Sequence, residues 1–165
     1  MAAEAETTLG ADGLILAAPG VWGGKALPVS HRLAVNLSAT FAPSKTLTGE
    51  RTARQATDNI DILRAMSRDP FVIKQTRIDA VLGVVRIMGE AYNGAEDVCA
   101  DTLFLMGQKG EIIPLNVMEE TAVNICGETD LIQYEAGWHL LFRDLQAENV
   151  WRDIAQWVDQ RTGDN

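Results

Sequence analysis

The chain carries two histidines, His31 and His139, four serines and two cysteines, and their surroundings differ sharply. His139 stands in Glu135-Ala136-Gly137-Trp138-His139, directly after an apolar run that reads as a strand. Open α/β sheets gather their functional loops at the carboxyl ends of parallel strands, and an imidazole there is suited to proton transfer near neutral pH. A lone histidine after a strand is structural more often than catalytic, so its neighbours must decide. His31 falls among Pro, Gly, Ser and Thr residues and is expected to be solvated or locally hydrogen-bonded. Gly23-Gly24-Lys25 after an apolar run has the flavour of a phosphate loop, but Pro19 replaces the first glycine and Ala26 the magnesium-binding hydroxyl, so it reads as a plain turn. Cys99 and Cys126 are too few for a disulfide framework and in the wrong pattern for zinc. Two reduced, half-buried thiols are expected, with a single bridge as the alternative.

The elements that must position these groups are legible as apolar runs. Gly13-Leu14-Ile15-Leu16-Ala17-Ala18-Pro19 is continuous rather than alternating, as in a strand covered on both faces. Thr102 to Met106, ending at Gly107, and Asp130 to Tyr134, ending in Glu135-Ala136-Gly137, are alike. Between those two, Leu115, Met118, Ala122 and Ile125 have helical spacing that fits a crossover helix. Leu145, Val150, Ile154, Trp157 and Val158 line one side of a last helix. The long insertion from Trp22 to about Ala100 is helical where it can be read. Asn59 to Met66 is a short helix capped by Asp58 or Thr57, Asp69-Pro70 starts the next, and Ile73, Ile78, Val81, Leu82, Val85 and Met88 form a stripe within residues 72–90. Between Gly23 and Arg54 irregular connections are expected. Strand, insertion, strand, helix, strand, helix is an α/β arrangement with a parallel sheet.

At 165 residues there is room for one domain, and 47% hydrophobic with 22% charged residues describes a globular chain. A net charge of -9 argues against nucleic acid or an anionic membrane as partner. Residues 1–8 are small and acidic, without the basic segment of a secretory signal, and the apolar run at 14–18 is too short to cross a bilayer. A cytoplasmic location follows by default. No metal or cofactor pattern is present in the sequence.

Several blocks together resemble one family. Leu14 to Pro19 with Trp22, Asp58-Asn59-Ile60 through Leu63-Arg64, Arg68-Asp69-Pro70-Phe71-Val72-Ile73-Lys74 and Thr76-Arg77-Ile78-Asp79 are similar to the cap region of bacterial serine hydrolases. Leu103 to Gly107 with Lys109 and Glu111-Ile112-Ile113-Pro114 resembles the strand and loop that carry the acid of a triad. Gly137-Trp138-His139, Arg143-Asp144-Leu145 and Val150-Trp151-Arg152-Asp153-Ile154 resemble its histidine loop and final helix. The family is the α/β-hydrolase fold, in its lysophospholipase or monoacylglycerol-lipase-like branch, often grouped with serine aminopeptidases. The resemblance runs from about Ala11 to Val158.

It implies an α/β fold, part of an α/β-hydrolase: about three parallel strands (residues 11–22 the first), a helical cap insertion over 23–100, and a C-terminal strand-helix-strand-helix over 101–165. It also implies Ser-Asp-His acyl transfer, in which a hydroxyl attacks an ester carbonyl, the imidazole takes its proton and a carboxylate orients the imidazole. His139 maps onto the base. None of Ser30, Ser38, Ser44 and Ser67 stands in Gly-x-Ser-x-Gly, so the nucleophile is expected upstream of this sequence, which is roughly a hundred residues short of such a fold. Gly110 occupies the acid position, with Glu111 beside it as a possible substitute. Losing the acid alone costs such triads about 10⁴-fold, so the chain is expected to be inert by itself. The parent family acts on acyl esters or lysolipids. Three roles are therefore open: an inactive cap and C-terminal half, a non-catalytic module binding lipid or partner, or one half of a split hydrolase complemented in trans. The strand at 14–18 should lack a neighbour and Phe71, Ile78, Leu82 and Val85 should be short of burial, which favours a homo-oligomer or a complementing N-terminal half.

Overall fold

A computed structural model describes residues 11–48 and 54–162, so the acidic start of the chain lies outside the described residues. In chain order the elements are β1 (Leu14–Ala17), α1 (Val29–Phe41), β2 (Thr46–Thr48), α2 (Ile60–Arg68), β3 (Gln75–Arg77), α3 (Ile78–Asn93), β4 (Thr102–Gly107), α4 (Leu115–Val123), β5 (Thr129–Tyr134) and α5 (Ala147–Thr162). β1, β4 and β5 make one parallel sheet in the order β1-β4-β5, with Leu14 opposite Thr102 and Thr102 opposite Thr129. All three strands run the same way, so the loops after them, at 18–22, 108–114 and 135–144, collect on one side of the sheet.

β4 is the middle strand and is buried along its whole length. Alternation with period two sends Leu103 and Leu105 to one face, with Ala18, Tyr134, Leu141, Val150 and Trp157, and Phe104 and Met106 to the other, with Val21, Val98, Ile113, Val117 and Met118. A strand packed on both faces must be apolar at every position, which explains its continuous run. α5 is fastened by polar groups as well: Trp157 Nε1–H and Arg161 Nη2–H donate to Asp130 Oδ2 at 2.8 and 2.9 Å. Among the described residues β1 lies at the edge of the sheet, and Ile15 on it is 38% exposed.

The insertion is more regular than the sequence suggests. Instead of irregular chain, residues 29–41 form α1, and His31 lies on it. Its Asn36 and Thr40 give a turn-like composition, but within the helix both side chains bond back to carbonyls four residues earlier, Asn36 Nδ2 to Arg32 O and Thr40 Oγ1 to Asn36 O. β2 pairs with β3 in an antiparallel ladder, Thr46 opposite Arg77, which ends the expected 72–90 helix short at Ile78. Asp69-Pro70 makes a turn and starts no helix: Asp69 Oδ1 accepts the Phe71 N–H at 2.8 Å. The cap of α2 is Asn59, whose Oδ1 accepts the Ile62 N–H, and not Asp58 or Thr57. Leu145 sits before α5 and is 74% exposed rather than part of its buried face. Ile78 is buried after all, Leu82 and Val85 are half-buried, and Phe71 is 92% exposed.

Gly23 and Gly24 have a steric task. A Cβ on Gly23 would stand 2.2 Å from Val85 O, and one on Gly89 would stand 2.5 Å from Gly24 N, so this turn and α3 touch backbone to backbone. That contact joins α3 to the turn that follows β1.

The expectation of two reduced thiols is overturned. Cys99 and Cys126 are both exposed and form a disulfide, joining the lead-in of β4 to the lead-in of β5. They meet because Cys126 N–H and Gly127 N–H both bond Val98 O, and a Cβ on Gly127 would stand 2.2 Å from Ala100 O. Closing a loop of this size removes unfolded-state entropy equivalent to about 3.5 kcal/mol. Cys99→Ser, or reduction of the native chain, should therefore lower the urea midpoint by an amount corresponding to about 2–4 kcal/mol, and reductant should have no further effect on the variant.

Candidate active site

Two glycines bring the loops after β4 and β5 together. A Cβ on Gly107 would stand 2.4 Å from both the carbonyl carbon and the oxygen of Gly137, so only glycine allows this approach. Hydrogen bonds lace the loops: Gln108 N–H donates to Tyr134 O at 3.0 Å and Lys109 N–H to Gly137 O at 2.9 Å. Gly110 closes the turn onto Gly107 O at 3.1 Å. A Cβ at position 110 would then lie 3.9 Å from His139 N, with Gly107 O its nearest contact at 3.2 Å. The acid position of the resemblance and the histidine are thus neighbours, and a side chain fits at 110 with a shift of a few tenths of an ångström. In this sequence no side chain stands there.

Glu111 is directed elsewhere. Its Oε2 accepts the Gln55 N–H at 2.8 Å. The carboxylate that acts on His139 is Asp144, five residues further along and only 3% exposed. Its Oδ2 accepts the Trp138 N–H at 2.7 Å, so it folds back across the histidine loop. Burial pushes the Asp144 carboxyl above the usual carboxylate range, as does the nearby charge of Asp58, against the lowering influence of the Thr57 hydroxyl, the Trp138 N–H and His139. Burial likewise pushes the His139 imidazole below its ordinary value, and the charge of Asp144 partly opposes this.

A strap from the insertion, residues 54–58, crosses all three loops. Arg54 stacks over Trp22, 5.2 Å from the ring centroid, and donates to Ile112 O. Ala56 O accepts the Leu140 N–H at 2.9 Å, and Asp58 Oδ1 accepts the Leu145 N–H at 2.9 Å. Thr57, between them, is wholly buried. Neither Asp144 nor the strap stood out in the sequence. The one available signal was an acid in Arg143-Asp144-Leu145 within a block shared with the family.

The other residues singled out by the sequence are not brought here. His31 is 6.3 Å from Trp22, ring to ring, on α1. Ser30 and Ser38 lie on α1, Ser44 in the turn before β2, and Ser67 on α2; none follows a strand of the main sheet. Among the described residues, no group of three or more His, Cys, Asp or Glu side chains is placed to hold a metal ion. No helix among them is long and apolar enough to cross a membrane.

Two outcomes follow from this geometry. Gly107→Ala should cost at least about 2 kcal/mol, read by chemical denaturation, because backbone on the facing loop cannot yield to the new methyl. The unfolded chain binds a proton at His139 more readily than the folded one. Stability contributed by the neutral imidazole is therefore complete above the ordinary histidine value near pH 6.5 and is lost as pH falls toward the lowered folded value. His139→Gln should flatten that part of the stability profile.

Comparison with known proteins bears on the same residues. The family model described as serine aminopeptidase, S33, matches residues 2–146. No curated protein sequence matches significantly. The fold is similar to that of the monoacylglycerol lipase of Paleococcus ferrophilus, with a TM-score of 0.78 at 19% identity over 97% of this chain and 63% of that one. It is also similar to a soluble variant of the monoglyceride lipase of Saccharomyces cerevisiae, with a TM-score of 0.74 at 14% identity over 97% of this chain and 59% of that one. A metagenome-derived lipolytic enzyme gives 0.69 at 14% identity, over 96% and 60%. The chain thus spans about 60% of the length of these structures, and at such identities the likeness establishes the fold, that of part of an α/β-hydrolase. With most of its length matched, the chain belongs to the S33 serine aminopeptidase family of α/β-hydrolases.

Proposed function

We propose that these residues supply the base, the cap and the C-terminal sheet of a monoacylglycerol-lipase-like serine ester hydrolase, and that by themselves they do not turn over esters. The observation that carries this reading is position 110, laced beside His139 and without a side chain. In acyl transfer His139 would take the proton of a hydroxyl attacking the ester carbonyl and return it to the leaving alcohol. That needs a hydroxyl on a sharp strand-to-helix turn, and none of the four serines occupies one. It also needs a carboxylate hydrogen-bonded to the imidazole; Glu111 is engaged with Gln55, and Asp144 holds the Trp138 backbone N–H rather than the ring. An acyl ester of glycerol or a lysolipid is the substrate class that the lipolytic neighbours support.

A second reading, complementation in trans by a segment that carries the serine, is favoured by the edge position of β1 and by exposed Phe71 and Ile73 on the insertion. Unpaired edge groups and bare apolar side chains invite pairing, with a complementing segment or with a second copy.

The purified chain should show no turnover of p-nitrophenyl butyrate above His139→Ala and no covalent labelling by a fluorophosphonate. Stoichiometric labelling, or turnover abolished by His139→Ala, would overturn the inert reading. Gly110→Asp, supplied with the serine-bearing part of a homologous hydrolase, should give turnover that the wild-type sequence in the same mixture lacks by about 10⁴-fold. Light scattering at high concentration should report a species heavier than the monomer.

A further inference from the structure

We propose that Asp144 is the positioning residue of His139: a buried carboxylate that fixes the backbone of the histidine loop and sets a charge beside the imidazole. The proposal rests on His139 being the base, as argued above, and adds the group that prepares it.

Three observations converge on Asp144. It is a carboxylate at 3% exposure, a setting in which an acid has to be held by its surroundings. Its Oδ2 takes the N–H of Trp138, the residue next to His139, while its own N–H bonds Leu140 O on the other side. Asp144 therefore brackets His139 from both flanks, its carboxylate on Trp138 and its backbone N–H on Leu140, and fixes the backbone from which the imidazole projects. Its other oxygen, Oδ1, is buried without a hydrogen bond of good geometry, so its charge is not fully neutralised by donors. In a site poorly screened by water such a charge acts on its neighbours with more force than at the surface.

The surrounding charges do not offer a substitute. Asp58, from the strap, spends Oδ1 on the Leu145 N–H. Glu111 is held by Gln55 N–H, and Arg54 lies over Trp22. Lys109 is exposed on the turn that meets Gly137. The charge of Asp144 opposes the effect of burial on the imidazole. The strap supports the arrangement from behind, since the buried Thr57 hydroxyl favours the ionised form of Asp144.

The chain has only two histidines, so proton NMR of the imidazoles is a direct test on the full chain. Asp144→Asn keeps an oxygen to accept the Trp138 N–H and removes the charge. The His139 midpoint should move to lower pH, His31 should stay, and Asp144→Glu should return the His139 midpoint toward the wild-type value. A folded Asp144→Asn with an unmoved His139 midpoint overturns the proposal. Should that variant not fold, the wild-type titration decides: the His139 resonance should carry a second, acid inflection that coincides with protonation of the Asp144 carboxyl carbon, and its absence overturns the proposal. These readouts require no turnover. An ester assay that contradicts the proposed function leaves them standing, and an unmoved His139 leaves that function standing.

Discussion

The contact between Gly107 and Gly137 is the constraint on which the site depends. Two backbones meet where any Cβ would stand 2.4 Å from main-chain atoms, and main chain has no rotamer into which it can retreat. β4 is the central strand, packed on both faces, so Gly107 at its end is held fixed and the loop after β5 must conform to it. The position of His139 beside residue 110 is thus set by the packing of the sheet and transmitted through three backbone hydrogen bonds. Position 110, within this geometry, carries no side chain.

The strap adds a second dependence. Residues 54–58 belong to the insertion, far in sequence from the loops they cross, yet they contact the loop after β1 through Arg54 and Trp22, the loop after β4 through Gln55, and the loop after β5 through Ala56 and Asp58. The cap and the histidine therefore form one mechanical unit. Any movement of the insertion that withdraws the strap would expose Thr57 and with it the environment of Asp144. Loops stitched by backbone donors to a buried acid hold His139 in one position.

The sheet and its three strands were legible because strands buried on two faces advertise themselves as unbroken apolar runs, and Leu103 to Met106 is such a run. The insertion was not, for identifiable reasons. α1 is rich in Ser, Thr and Asn, residues that compete with the backbone for hydrogen bonds, and its helix became visible only through their back-bonding. Asp58 and Thr57 looked like caps, but Asp58 Oδ1 accepts the distant Leu145 N–H and Thr57 Oγ1 accepts the Asn59 N–H, leaving Asn59 to the task. The resemblance singled out Gly110 and His139, whereas nothing pointed to Asp144, because burial of an acid and its bond to a backbone N–H leave no periodic trace. Cys99 and Cys126, with no pattern between them, meet through strand register and the fit of Gly127 against Ala100.

The disulfide has a topological consequence. Because it joins the entrances of β4 and β5, the chain from Cys99 to Cys126 is a covalent ring that contains β4, the turn with Gly110, Glu111 and the whole of α4, while His139 lies on the tail that leaves it. The two bridged cysteines sit at the opposite end of the strands from the loops that carry Gly110 and His139. A protease that cuts the backbone anywhere inside the ring opens it without releasing a fragment, so the central strand remains tethered to β5 and to the histidine that follows it.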